Sequence, residues 1–174
     1  MFGFMKLSSL VAMFGLLAAV TTHAQTPPPP PLNHDFDFWI GEWNVTSPDG
    51  KPAGTSRIEA VAGGRGLLEN WEGAPQPNGQ PGGSGKSLNA FNAAKKQWQQ
   101  YWVGAGGVLE LSGGLVDGRM VLAGERALAD GRTLTNRISW TPNTDGSVRQ
   151  LWEQTFDGGK TWTTAFDGRY VKKN

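Results

Sequence analysis

From residue 42 onward, apolar side chains recur at every second position in short runs, and Gly, Pro, Asn or Asp separates one run from the next. A period of two puts one set of side chains on each face of an extended strand, whereas a helix would need a period near 3.6. The runs predict ten strands, at residues 42–47, 55–61, 66–72, 86–91, 97–103, 108–115, 119–125, 133–141, 147–155 and 161–171. Pro48-Asp49-Gly50, Asp117-Gly118, Asp145-Gly146 and Asp157-Gly158-Gly159 lie between runs and place glycine where a tight turn needs positive φ. Nearly every link has hairpin length, so strands adjacent in sequence are expected to pair antiparallel. Ten strands in up-and-down order predict an all-β closed barrel, because closure removes the exposed edges. One helical piece precedes them, residues 34–40 ending at Gly41, short and apolar on most sides. It could plug one end of the barrel.

Alternation also assigns faces. Over residues 133–141, Leu134, Asn136, Ile138 and Trp140 oppose Thr135, Arg137, Ser139 and Thr141. Over 147–155, Val148, Gln150, Trp152 and Gln154 oppose Arg149, Leu151, Glu153 and Thr155; over 97–103, Trp98, Gln100 and Trp102 oppose Gln99, Tyr101 and Val103. Arg137, Arg149 and Glu153 would be costly inside without partners, so their face is expected outward. The inward set then mixes aromatic rings with neutral amides. Buried amides need partners: water, each other or a ligand. The pattern fits a ligand cavity, and it fits a solid core with a satisfied amide network.

The leader and composition add the setting. Residues 1–24 have Lys6 near the start, an apolar stretch from Leu7 to Val20, and Thr22-His23-Ala24 before Gln25, the three parts of a secretory signal peptide. The apolar stretch is shorter than the ~20 residues that span a bilayer. Residues 25–33 hold five consecutive prolines, Pro27 to Pro31, and are expected to form an extended spacer. The barrel domain is expected over residues 34–174, in the periplasm or outside the cell, with no membrane contact after cleavage. Without Lys6 the charged residues balance at 15 of each sign. That balance gives no electrostatic footprint for nucleic acid. The chain has no cysteine and two histidines, His23 and His34, so thiolate chemistry and His- or Cys-rich metal sites are excluded. No metal and no cofactor is implied.

Several motifs point to chemistry and then fall short. Gly79 to Ser87 resembles a phosphate loop but has five residues, not four, before its Gly-Lys-Ser, and it leads into a strand where a phosphate loop opens a helix. The stretch Gly73 to Gly85 reads instead as a Gly- and Pro-rich flap at the barrel rim. Thr155 to Trp162 has the Asp-box pattern of sialidase propellers in a single copy, and reads as a hairpin turn. Glu42, Glu69, Glu72, Glu110, Glu125 and Glu153 are the glutamates available for paired-carboxylate chemistry, but they read as solvated charges on strand faces. No Ser sits in a nucleophile elbow, and a triad could draw only on His34 as its base.

Gly41-Glu42-Trp43, a Gly-x-Trp after a short helix and at the start of the first strand, resembles the opening of calycin barrels, the superfamily of lipocalins and fatty-acid-binding proteins. The closer resemblance is to a bacterial calycin-like family, domain of unknown function 1579. It rests on Phe36 to Trp43, Glu69-Asn70-Trp71, Gly85 to Asn89, Trp98 with Trp102, Arg137 to Trp140, Arg149 to Glu153, Asp157 to Trp162 and Phe166 to Tyr170, in order across the domain. The resemblance implies a calycin-like barrel and no reaction. A related barrel type binds haem through a histidine; His34 precedes this barrel, and Tyr170 or Tyr101 would have to ligate the iron instead.

Of the eight tryptophans, Trp39 and Trp43 are expected to close the barrel end, while Trp98, Trp102, Trp140 and Trp152 are expected to line a cavity. The expected function is binding of a small, largely apolar ligand inside the barrel, with Asn89, Gln100, Asn136 and Gln150 orienting it. One rival is a cofactor-independent enzyme of isomerase, cyclase or lyase type, acting through Glu69, Glu153, Tyr101 or Tyr170 turned inward. The other is a structural or interaction module, a homodimer through outward apolar positions such as Leu151 and Tyr101.

Overall fold

A computed structural model describes residues 29–173. The leader, its cleavage site and the first part of the proline run lie outside the described residues. A single 3-10 turn, Asp37–Trp39, precedes ten strands: β1 (Gly41–Thr46), β2 (Pro52–Val61), β3 (Gly66–Gly73), β4 (Ser84–Asn92), β5 (Gln97–Gly104), β6 (Gly107–Val116), β7 (Arg119–Ala127), β8 (Thr133–Pro142), β9 (Val148–Thr155) and β10 (Thr163–Lys172). Each strand pairs antiparallel with its sequence neighbours, and β1 pairs with β10, from Trp43 opposite Lys172 to Thr46 opposite Arg169. The sheet is therefore a closed up-and-down barrel, as the run pattern predicts. Each expected strand lies within three residues of the observed one.

The helical piece expected at residues 34–40 contracts to that one 3-10 turn. Seven residues ending in a glycine at φ +146° cannot repay helix nucleation, so packing sets their shape instead. Phe36 and Trp39 are fully buried in the barrel end. Phe36 stacks on Trp39 with centroids 5.0 Å apart and meets the edges of Trp98 and Trp140 at 5.6 and 5.1 Å. Trp43 donates its indole N–H to the Trp39 carbonyl at 2.9 Å. Trp98 donates to Asn33 Oδ1 at 3.1 Å, which ties the end of the proline segment to the barrel wall. This end is a plug of stacked rings.

Outward charges pair across strands. Arg149 grips Asp167 through two hydrogen bonds of 2.9 and 2.7 Å, and Arg137 meets Glu153 at 2.9 Å. These pairs sit on the solvent side, where each contributes little. Asp157 holds the β9–β10 turn, accepting from the backbone N–H groups of Lys160 and Thr161 at 2.9 and 3.0 Å and from the Thr161 hydroxyl at 2.6 Å. The single Asp-box motif is thus a turn. Among the described residues, no helix is long and apolar enough to cross a membrane.

Candidate functional site

The plug leaves the interior open toward the opposite end, where the β3–β4, β5–β6 and β9–β10 links lie. A cavity of about 170 Å³ occupies the middle of the barrel, walled by Trp71, Trp102, Trp152, Phe166, Leu109 and Ile138, with Glu69, Gln100, Gln150 and Tyr170 among them. Trp71, Trp102, Leu109 and Trp152 also border an outer lobe of about 280 Å³, rimmed by Gly83, Ser84, residues 104–108, Arg126, Asn136 and Gln154. The two lobes share a wall and run toward the mouth.

Glycines on the inner face make room for the rings. A Cβ on Gly85 would lie 2.2 Å from the Trp102 ring, and one on Gly168 would lie 2.6 Å from Phe166. Each ring occupies space that a side chain at the glycine would fill. Trp71 meets Phe166 edge to face at 5.7 Å and lies 6.4 Å from Tyr170, forming one aromatic corner.

At that corner lies Glu69. Its strand places it opposite Ile58 on β2 and Ser87 on β4, with its side chain inward beside Trp71 and Leu67. Ser56 Oγ donates to its Oε1 at 3.0 Å and Ser87 Oγ to its Oε2 at 2.9 Å. Asn89 Nδ2 donates to Ser87 Oγ at 2.9 Å, and Gln100 Nε2 donates to Asn89 Oδ1 at 2.8 Å. Every donor in this chain points toward the carboxyl group. Burial pushes Glu69 up to about 7 from its ordinary 4.5, against the two hydroxyls, which pull it down. Burial, with the nearby Glu69 charge, also holds the Tyr170 phenol well above its usual range, and Tyr170 donates to Gln150 Oε1.

The residues singled out from sequence divide into four groups. Gln100, Trp102, Gln150 and Trp152 line the inner cavity. Asn136 borders the outer lobe; its Oδ1 accepts from Trp152 Nε1 and Gln154 Nε2 at 2.9 and 3.0 Å, while its Nδ2 has no partner within the protein. Trp98 and Trp140 belong to the plug, and Asn89 stands behind Ser87 as a strut of the Glu69 network. The reading of Glu69 as a solvated strand-face charge is corrected: it is buried. Glu42, Glu72, Glu110 and Glu125 are exposed, and Glu153 is half-buried on the outside against Arg137. Tyr101 is exposed, Tyr170 buried.

Face alternation in β3 could have found Glu69, but with one ambiguity. Each face of that strand carries a leucine and a glutamate, Leu67 with Glu69 and Leu68 with Glu72. Trp71, on the Glu69 side, breaks the tie. Among the described residues, no three His, Asp or Glu side chains cluster as metal ligands. No protein-family model matches the chain, and no curated protein matches it.

Proposed function

We propose that this chain is a calycin-like carrier of the domain of unknown function 1579 kind, exported to the periplasm or beyond, that holds a small, largely apolar ligand inside its barrel. The observation that carries this reading is the two-lobed cavity walled by Trp71, Trp102, Trp152 and Phe166, with a few polar groups gathered at its floor. Large rings around a small number of placed polar groups are the usual make-up of a small-molecule site. A sequence ending in Thr22-His23-Ala24 before a proline spacer supports export.

Native mass spectrometry of the protein recovered from its own compartment tests the reading. The expected result is a reproducible excess mass that disappears on denaturation. A bare chain mass from freshly recovered protein, with no small molecule binding on later titration, would count against a carrier. The same spectrum reads whether the chain is a homodimer.

A second reading is an enzyme without cofactor. One observation favours it: a carboxyl group whose midpoint burial has brought to about 7, set in a cavity beside a phenol. Such a group can both accept and return a proton near neutral pH. Turnover of a candidate substrate that Glu69→Gln abolishes, with binding retained, would move the assignment there.

A further inference from the structure

Glu69 has an unusual position for a carboxylate. Its two oxygens each accept one hydroxyl hydrogen bond, so it is arranged to be an acceptor. The inward residues packed around it are Ser56 and Ile58 on β2, Leu67 and Trp71 on β3, Ser87 and Asn89 on β4, Gln100 on β5, Gln150 on β9, and Phe166 and Tyr170 on β10. Tyr170 is the one titratable group in that set, and none of them carries a positive charge. A buried carboxylate without a counter-charge is costly, and the usual remedy is an adjacent cation. Here the wall beside it is aromatic on the exposed side of the cavity. Ring faces carry negative charge density and attract cations within about 6 Å of their centroids. Carboxylate and rings therefore favour the same ligand charge.

We infer that the inner cavity takes an organic cation, an amine or quaternary ammonium with an apolar body, whose positive end sits against Glu69 within the corner made by Trp71, Phe166 and Tyr170. This rests on the carrier reading and gives its ligand a class. The apolar body extends past Trp102 and Trp152 into the outer lobe, where Asn136 Nδ2 offers a donor to any acceptor the ligand has there. Arg126 at the rim is exposed and donates to the Gly106 carbonyl at 3.3 Å, so solvent screens its charge from the cavity floor. A fatty-acid carboxylate, by contrast, would meet Glu69 with like charge.

The test uses benzyltrimethylammonium and its uncharged isostere neopentylbenzene, titrated into the mature protein by calorimetry and tryptophan fluorescence. The ammonium cannot lose its charge, so any pH dependence belongs to the protein. At about pH 8.5 the cation is expected to bind roughly tenfold or more tighter than the isostere, and to lose most of that preference by about pH 5.5, as Glu69 takes up a proton. Glu69→Gln is expected to abolish the pH dependence and to hold the preference at both pH values at the low level that the rings alone supply, while keeping the isostere's affinity. Should that variant fail to fold, the pH profile of the unaltered protein still decides. Equal binding of both probes at the higher pH would overturn the cationic assignment and leave the carrier reading standing. Binding of neither probe would overturn it too. A carried molecule in the native spectrum, neutral or anionic, would then show that the carrier reading survives without it.

Discussion

Glu69 is a weak acid whose proton is held more tightly in the folded chain than in the unfolded one. Below about pH 4.5 the group is protonated in both states; above about 7 it is ionised in both. Between these values only the folded chain keeps the proton, so unfolding releases it and stability falls as pH rises. The contribution is fully present below the unfolded midpoint and is lost as pH climbs through 7. The displacement from 4.5 to about 7 corresponds to about 3 kcal/mol. Urea denaturation of the ligand-free protein should show this component of the pH slope, and Glu69→Gln should flatten it. An equal slope in protein and variant would mean that the carboxyl is solvated. At this scale the sequence was half legible. Alternation placed Gln150 and Trp152 inward, because Arg149 and Glu153 on the other face of β9 leave little choice; β5 carries no charge, and Gln100 and Trp102 were placed inward with its two tryptophans. It did not separate Trp98 and Trp140, which face inward too, from cavity-lining rings. Position along the strand decides that, and it depends on where residues 36–39 come to rest.

Among elements, the strands were the most legible part, because each needs only its own alternation and the turn glycines at its ends. The link between β3 and β4 is different in kind. Residues 75–82 are exposed or nearly so and are held by a few backbone bonds, such as Gly79 N–H to the Gln76 carbonyl at 2.8 Å. Its far end, Gly83 with Ser84, borders the outer lobe. Lys and Arg are absent from this link, so trypsin has nothing to cut there. A broad-specificity protease should nick it before the other links of the barrel. First cleavage in another hairpin, with this link intact, would show that it is better ordered than its composition predicts. The element that sequence misjudged was the expected helix. Its apolar side chains were read correctly as burying, but a segment of this length takes the shape that its ring packing dictates.

At the scale of the molecule, closure and the plug set stability. Because β1 pairs with β10, every strand has two neighbours and the sheet presents no open edge. The plug then supplies the largest buried rings, with Phe36, Trp39, Trp43, Trp98 and Trp140 all buried. Trp39→Ala should cost about 3–5 kcal/mol, since it removes a ring stacked on Phe36 and leaves a void that the closed wall cannot collapse to fill. Chemical denaturation would measure this directly; a loss under about 1 kcal/mol would mean that the turn is loosely seated. The barrel itself was foreseeable, because hairpin-length links between about ten strands leave few other arrangements. A cavity was expected from the inward rings and amides, but its walls were only partly legible: Glu69, Trp71, Phe166 and Tyr170 join it because rings from distant strands share one interior.

The plug also makes the barrel a blind tube. A molecule lodged at its floor must leave by the passage through which it arrived, and it blocks that passage while it stays. A newcomer cannot push it out from behind, nor bind beside it first. For the proposed ligand, exchange would therefore be sequential: its pace would be set by spontaneous departure, and crowding the solution with a rival would do nothing to hasten it.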